Sequence, residues 1–334
     1  MVHFFRFPAL IGVYLPGSSL GNHYKLGSQT VIFDHFFPRY INSNECWIET
    51  LIFEDYNRHQ VIELPELPEV ETVVQGLRSR ITGKVVDEVL IHDPDLPRNV
   101  EPEQLVRKLE GERVSDVRRR GKYILLELAD GHLVAIHLRM TGKLLVCSED
   151  EDTEYQRITF LFEEDGKLVM DDLRRLGTLD LLESEDEEPL SSLGLEPFTD
   201  DYEWEEFREL FDTTQPLKLL LLAQKKITGL GNIYASEVLF RAGLDPRASG
   251  NEISEEGKRK LFELIPEVLS EAIENNGTTF SNFRDSSGET GNFQDFLRVY
   301  QKEGEPCPAC GTEIVRVDQS GRGTYYCPNC QDKG

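Results

Sequence analysis

From residue 68 onward, the order of apolar and polar positions divides the chain into a strand-rich stretch and a helix-rich one. PEVETVVQGLRSRITG (68–83) sets Val70, Val73, Val74 and Leu77 on one face, with Pro68 and Glu69 in the first turn and Gly83 beyond the end. This pattern predicts a helix. Six short segments come next: KVVDEVLIH, GERVSDVRRRG, KYILLELAD, HLVAIHLRM, RITFLFEED and KLVMDDL. Their apolar residues alternate or cluster between Gly and Asp turns, which predicts strands. Residues 65–182 therefore read as an antiparallel β region. An acidic, linker-like stretch, ESEDEEP (183–189), closes it. Beyond it YEWEEFRELF, PLKLLLLAQ, NIYASEVLFRAG and ISEEGKRKLFELIPEVLSEAIENN carry helical spacing, and Pro266 within the last predicts a kink or a break. A Gly/Ser/Asn-rich loop, FRDSSGETGNF, leads into a Cys-rich end.

Residues 1–64 differ from the rest. They hold 12 of the 31 aromatic residues and four of the seven His, and little in them repeats with period 2 or 3.6. They carry four basic and six acidic residues, so the other 270 residues carry −23 of the net −25. The segment reads as translated sequence never selected to fold with the rest of the chain; the alternative is a genuine small appended region.

A chain of 334 residues is long enough for two or three domains with real cores. No apolar run reaches the roughly 20 residues needed to cross a membrane, and MVHFFRFPALIGVYLPG, with one early Arg and no clear small-residue cleavage site, is a weak match to a targeting signal. The strong negative charge argues against a general nucleic-acid coat, but it leaves room for a local basic groove. Acidity spread along a whole chain also suits a cell that holds high salt.

Three local patterns carry chemistry. CPAC (Cys307, Cys310) and CPNC (Cys327, Cys330) are separated by 16 residues, a spacing that suits a tetrahedral structural zinc more than a redox pair. TEIVRVDQSGRGTYY between them reads as two strands around a turn, with Arg322 near its tip. Such a module is too small to fold without its ion. Second, ITGLGNIYASE places a Gly-rich turn before a helix that starts near Asn232, where exposed N–H groups suit a phosphate; an ordinary packing joint is the plainer reading. Third, Arg118, Arg119, Arg120 and Lys122 cluster in RRRGKYILLEL. Met140 is expected at a hairpin turn in HLRMTG, and DDLRRLG adds Arg174, Arg175 and Leu176. Basic residues beside apolar wedges suit a protein that grips phosphates and inserts side chains into a duplex, although each taken alone is more often a solvated turn.

Taken in order, PELPEVET (65–72), RRGKYILLEL, HLRMTG, DDLRRLG, TGLGNIYASE and the four-Cys ribbon resemble the formamidopyrimidine-DNA glycosylases over residues 65–331. The resemblance implies a multi-domain α+β fold: a β-sandwich with a flanking helix (65–190), a helix–two-turns–helix domain (191–295) and a zinc ribbon (296–334). It implies a base-excision repair enzyme that removes oxidised purines from damaged double-stranded DNA and then cleaves the strand. It also implies a cytoplasmic, nucleoid-associated monomer holding one structural zinc.

The resemblance also implies a role for each site residue. Pro65, as a free N-terminal secondary amine, attacks C1′. Glu66 is the acid/base at the sugar oxygen, Glu69 lines the lesion pocket, and Lys122 contacts the DNA near the lesion. Met140 and Arg174 fill the space of the flipped nucleotide, with Arg175 and Leu176 beside them. Asn232 and Arg322 hold flanking phosphates, and the loop from Phe283 to Phe293 covers the base. Leu176 stands where the family has an aromatic wedge, and a leucine cannot stack.

Inside a peptide chain the Pro65 nitrogen is an amide with a delocalised lone pair, so it cannot attack. Residues 1–64 are therefore expected to be a non-native leader created by a mis-assigned translation start. Leu64 occupies the initiator's place, and proteolytic trimming is the fallback. The alternatives are an oxidised-pyrimidine glycosylase of the endonuclease VIII class, or a non-catalytic lesion-binding protein if the leader is retained.

Overall fold

The computed structural model describes residues 64–164, 166–279 and 284–332, and within the first 63 residues the backbone of five strands. The chain parts into two units, Met1–Gln60 and Val61–Gly334. In the first, β1 (Phe4–Phe7) pairs with β2 (Leu10–Val13), and β3 (Asn22–Leu26), β4 (Gln29–Asp34) and β5 (Phe37–Arg39) form an antiparallel sheet. The expectation that residues 1–64 are a leader lies otherwise outside the described residues.

The second unit begins with α1 (Leu67–Ile81), the helix expected from the 68–83 pattern. It opens on a capping box in which Glu66 and Glu69 each accept from the other's end of the first turn, and Pro68 sits in that turn where no N–H is needed. Its side chains serve two cores. Val70, Val73, Val74, Leu77 and Ile81 join the sandwich core, whereas Leu67 joins the helical core with Phe207, Leu220 and Tyr234. Each such side chain is worth about 1.5–3 kcal/mol when fully buried, so α1 couples the two bodies strongly.

The sandwich is two four-stranded antiparallel sheets. One has the order β10 (Gly142–Cys147), β12 (Lys167–Asp172), β11 (Gln156–Phe162), β6 (Val86–Ile91); the other has β13 (Thr178–Leu182), β9 (Leu133–His137), β8 (Tyr123–Leu128), β7 (Val114–Arg120). A short helix, α2 (Pro102–Leu109), packs on β6. This topology corrects one expectation: HLRMTG is not a hairpin turn. Strands β9 and β10 belong to different sheets, so the segment crosses from one sheet to the other, as DDLRRLG does between β12 and β13. His137 pairs with Thr178 and Gly142 with Asp172, so the two crossovers run side by side along one edge.

The helical body holds α3 (Trp204–Glu209), α4 (Leu217–Leu221), α5 (Asn232–Ala242) and α6 (Glu255–Glu274). Helix α6 runs unbroken through Pro266, so the expected break does not occur. Pro266 has no N–H for the Phe262 carbonyl one turn back. The Tyr202 hydroxyl donates to that carbonyl at 3.2 Å instead, and its ring stacks on Phe262 at 4.7 Å. A two-stranded ribbon, β14 (Val315–Gln319) and β15 (Arg322–Tyr326), completes the unit.

Candidate active site at the head of helix α1

The site is built where the start of α1 meets the start of α5. Glu66 is buried, and its carboxylate caps α5: Gly231 N–H donates to Oε2 at 2.6 Å and Ile233 N–H to Oε1 at 2.9 Å. A Cβ on residue 231 would fall 2.3 Å from Cδ of Glu66, so only glycine lets the turn approach. Three residues on, buried Glu69 accepts from the Tyr234 hydroxyl at 2.5 Å and the Thr278 N–H at 2.6 Å. Burial pushes the Glu66 carboxyl up to about 7, against the Lys122 charge and the helix N–H groups, and the Glu69 charge adds to the rise. Burial raises Glu69 as well. Pro65 lies directly before this pair and is buried.

Lys122 lies within electrostatic reach of Glu66, Glu69, Arg322 and Arg139; burial lowers its pKa and the two carboxylates oppose that. Its turn is fixed from below by Glu196, which is buried, accepts the Gly121 N–H at 3.0 Å and binds the guanidinium groups of Arg119 and Arg120. Arg119 also reaches Glu71, while Arg118 pairs with Glu127 and Glu185. The three consecutive arginines are thus each paired with carboxylates of the protein, so they are not the free phosphate-gripping cluster expected of RRRGKYILLEL. Arg175 is committed too, to the buried carboxylate of Asp93 at 2.5 Å. Among the described residues Lys122, Arg139, Arg174 and Arg322 pair with no carboxylate.

At the sandwich edge the two crossovers bring Met140 and Arg174 together, with an Arg174 Nη1 to Met140 Sδ distance of 3.6 Å. Met140 is half-buried, while Arg174 and Leu176 are exposed. Asp172 holds the second crossover by accepting from the N–H groups of Leu176 at 2.8 Å and Gly177 at 2.7 Å, and from the Thr141 hydroxyl of the first. Asn232 opens α5 and donates through Nδ2 to the Tyr300 hydroxyl at 3.1 Å and the Gly323 carbonyl at 3.3 Å, leaving its buried Oδ1 without a hydrogen bond. That contact lays the ribbon hairpin, with exposed Arg322 at its turn, against the helix.

Sequence reasoning missed three residues of this site. Lys218, buried in α4, donates to the Gly323 carbonyl at 2.9 Å and Thr324 Oγ1 at 3.0 Å, and burial lowers it to about 7. A lone lysine within PLKLLLLAQ was the available signal. His137 is buried and pushed down to about 3 by burial and by Arg139, Lys122 and Arg98. Its Nδ1 accepts the Arg139 N–H at 3.0 Å, so the neutral ring carries its proton on Nε2. His137 and Arg139 stand three positions and one position before Met140 in HLRMTG, and that motif was their available signal.

Cys307, Cys310, Cys327 and Cys330 place their sulfurs within 4.8 Å of one another, with Cys307–Cys330 at 3.9 Å and Cys310–Cys327 at 3.5 Å. A tetrahedral ion with bonds near 2.3 Å needs sulfurs about 3.8 Å apart, so the four thiols fit a structural metal. Of the loop from Phe283 to Phe293, Phe283 lies outside the described residues; residues 285–289 turn back on themselves, and Arg80 of α1 donates to Ser287 Oγ at 2.5 Å.

A sandwich and a helical body joined at buried carboxylates, a set of unpaired cations and a four-Cys ribbon define a DNA-processing protein of the glycosylase class. The chain belongs to the formamidopyrimidine-DNA glycosylase family. It matches that family's N-terminal domain over residues 64–179, its H2TH domain over 193–284, and the zinc finger found in FPG and IleRS over 304–333. It is 41% identical to the formamidopyrimidine-DNA glycosylase of an Exiguobacterium species over 276 residues, which cover 81% of this chain and 100% of the relative. The Bacillus cereus enzyme is 37% identical over the same coverage. Among solved structures, Lactococcus lactis Fpg in complex with abasic-site DNA superposes with a TM-score of 0.75 at 37% identity, covering 80% of this chain and 100% of that one. A MutM complex with DNA containing carbocyclic 8-oxo-G gives the same values.

Proposed function

We propose that this protein is a base-excision repair DNA glycosylase/AP lyase that removes oxidised purines, 8-oxoguanine and formamidopyrimidines, from damaged double-stranded DNA. The observation that carries the reading is the cluster of cations and buried carboxylates at the head of α1. In a chain of net charge −25, the cations left unpaired among the described residues include Lys122, Arg139, Arg174 and Arg322, and Lys122 lies beside the two buried carboxylates that come after Pro65. Such cations suit phosphates, and such carboxylates suit proton transfer.

In this reading the duplex lies across the crossovers and the ribbon. Met140, Arg174 and Leu176 enter the gap left by the flipped nucleotide. Arg322, Lys122 and the Nε2–H of His137 meet phosphates. Asn232 acts by seating the ribbon hairpin. Glu69 lines the pocket, and Arg175 acts by bracing the loop on Asp93. The free amine of Pro65 attacks C1′, the base leaves, and Glu66, protonated up to about pH 7, gives its proton to the ring oxygen as the sugar opens. Elimination then proceeds at the 3′ side and afterwards at the 5′ side.

This chemistry needs a chain that begins at Pro65. The relatives' full length corresponds to about four-fifths of this chain, and the N-terminal family match starts at residue 64, which supports a working form without residues 1–64. The four thiols would hold one zinc, which supplies the folding energy of the ribbon. The working form is a cytoplasmic monomer acting at the nucleoid; among the described residues no helix is long and apolar enough to cross a membrane.

The test is borohydride trapping of a chain beginning at Pro65 on an 8-oxoguanine duplex, with excision measured beside it on oxidised-pyrimidine duplexes. A covalent adduct at Pro65 with purine excision in the lead is expected. Preference for the pyrimidine lesions would reassign the substrate, and the absence of any adduct would leave a lesion-binding protein.

A further inference from the structure

Behind the two crossovers stands a buried guanidinium, Arg157, that the proton and amine chemistry at the head of α1 does not use. The pairing of β11 with β12 shifts at this residue: Gln156 faces Asp171 and Ile158 faces Met170, which leaves Arg157 as an extra residue between them. A bulge of this kind re-aims a side chain. Here it places Arg157 between two buried carboxylates, with Nη2 bound to Asp93 Oδ2 and Nη1 3.7 Å from Asp172 Oδ2. The Arg157 carbonyl accepts the N–H groups of His92 at 2.9 Å and Asp93 at 3.1 Å, so its backbone fixes the same segment.

Stability alone is a poor reason to keep such a group. Arg157 Nε and Nη1 are buried without a hydrogen bond, and apolar residues of similar volume often serve as well as a buried ion pair. What the pair holds is the second crossover. Asp93 Oδ2 accepts from Arg175 Nη2 at 2.5 Å and Nε at 2.8 Å. Arg175 has φ +55°, a left-handed conformation uncommon for any residue with a Cβ. At the other end of Arg157, Asp172 accepts from the N–H groups of Leu176 and Gly177 and from the Thr141 hydroxyl of the first crossover. One guanidinium therefore spans the two carboxylates that hold this left-handed turn, and the exposed Arg174 and Leu176 stand directly before and after Arg175.

We propose that Arg157 and Asp93 are positioning residues for duplex opening: they hold Arg175 left-handed and so aim Arg174 and Leu176 into the gap of the flipped nucleotide. The inference rests on the reading that these two side chains enter a duplex there. Without its anchor, residue 175 relaxes to the right-handed or extended conformations that suit an arginine, and its two neighbours turn away from the duplex. The groups at the head of α1 are untouched by that change. The network therefore governs the opening of a base pair more than the holding of a site already open.

The test uses the full 334-residue chain loaded with zinc, because opening a base pair does not need the Pro65 amine. The duplex carries 8-oxoguanine paired with cytosine and a neighbouring 2-aminopurine, whose fluorescence rises on unstacking. Arg175→Gln releases the turn from its exposed side and leaves the buried Asp93–Arg157 pair in place. The fluorescence rise should slow roughly tenfold or more, while affinity for a tetrahydrofuran-abasic duplex, which has no base to expel, changes far less. Asp93→Asn keeps every cation, so the same slowing there is not a lost phosphate contact. The double variant should be no slower than the slower single, since both changes break one contact. Arg157→Gln should match them; if a variant of the buried pair fails to fold, Arg175→Gln still decides. Normal opening by Arg175→Gln, additive slowing in the double variant, or equal losses on the two duplexes would each overturn the proposal. If the unaltered full chain opens nothing, the same variants are measured in a chain beginning at Pro65. Failure of that chain to bind either duplex would overturn the repair reading and this proposal with it, whereas binding with normal opening in the variants removes only the role of Asp93 and Arg157.

Discussion

Gly231 donates its backbone N–H to Glu66 Oε2 at 2.6 Å, and that bond ties the residue after Pro65 to the first turn of helix α5. The helix N-terminus favours the carboxylate, whereas burial favours the acid, and burial prevails. The contact thus positions the group across the two bodies, while burial sets its protonation.

Gly231→Ala would drive a Cβ into the Glu66 carboxylate. A displacement on the order of 1 Å costs a reaction about 100-fold. Single-turnover excision by a chain beginning at Pro65 should therefore fall about 100-fold, while affinity for a non-cleavable abasic duplex changes far less. Equal losses in both would mean that the turn serves binding alone.

The raised Glu66 pKa makes stability depend on pH with an unusual sign for a glutamate. An ordinary glutamate releases its proton near 4.5, while Glu66 in the folded protein keeps its proton up to about 7. Between those values the folded state binds more protons than the unfolded chain, so stability falls as pH rises and levels off above 7. The Glu66 share is on the order of 3 kcal/mol. Thermal melts from pH 4 to 8 should show this decline, and Glu66→Gln should flatten part of it. Glu69 and Glu237, also raised by burial, keep the remainder.

Paired and unpaired cations should respond to different measurements. Glu196→Gln removes the partner of Arg119 and Arg120 at a buried site, and stability should drop by about 3–5 kcal/mol in urea melts with little salt dependence. Arg322→Ala should leave the melt unchanged and reduce the slope of log affinity against log salt by about one. An unchanged slope would remove Arg322 from the phosphate contacts.

The Tyr202 hydroxyl gives the Phe262 carbonyl the donor that Pro266 cannot, within the unbroken helix α6. Tyr202→Phe leaves the Phe262 carbonyl without its donor and should cost about 1–2 kcal/mol. Pro266→Ala restores an N–H one turn on, so the double variant should recover much of that loss. Simple additivity in a double-mutant cycle would show that the hydroxyl is not compensating for the proline.

Much of this protein was legible along the chain because local rules governed it. The 68–83 face became α1 at Leu67–Ile81, six strand segments lie where alternation placed them, and paired CxxC spacing brought four sulfurs together. Strands Gly142–Cys147 and Thr178–Leu182 and helix Pro102–Leu109 were not read, since segments of five to eight residues owe their structure to what covers them. The sequence could place Pro65, Glu66 and Glu69 next to one another, because covalent order settles that. It could not say which cations stay free. RRRGK gives no sign that three arginines are neutralised from residues 71, 127, 185 and 196 while the lysine is not. Nor could it show that HLRMTG and DDLRRLG are neighbouring crossovers, since strand pairing joins residues about 30 to 40 apart. Side-chain charge is written in the sequence, but its availability depends on which carboxylates the fold brings within a few ångströms, and only the tertiary structure decided that.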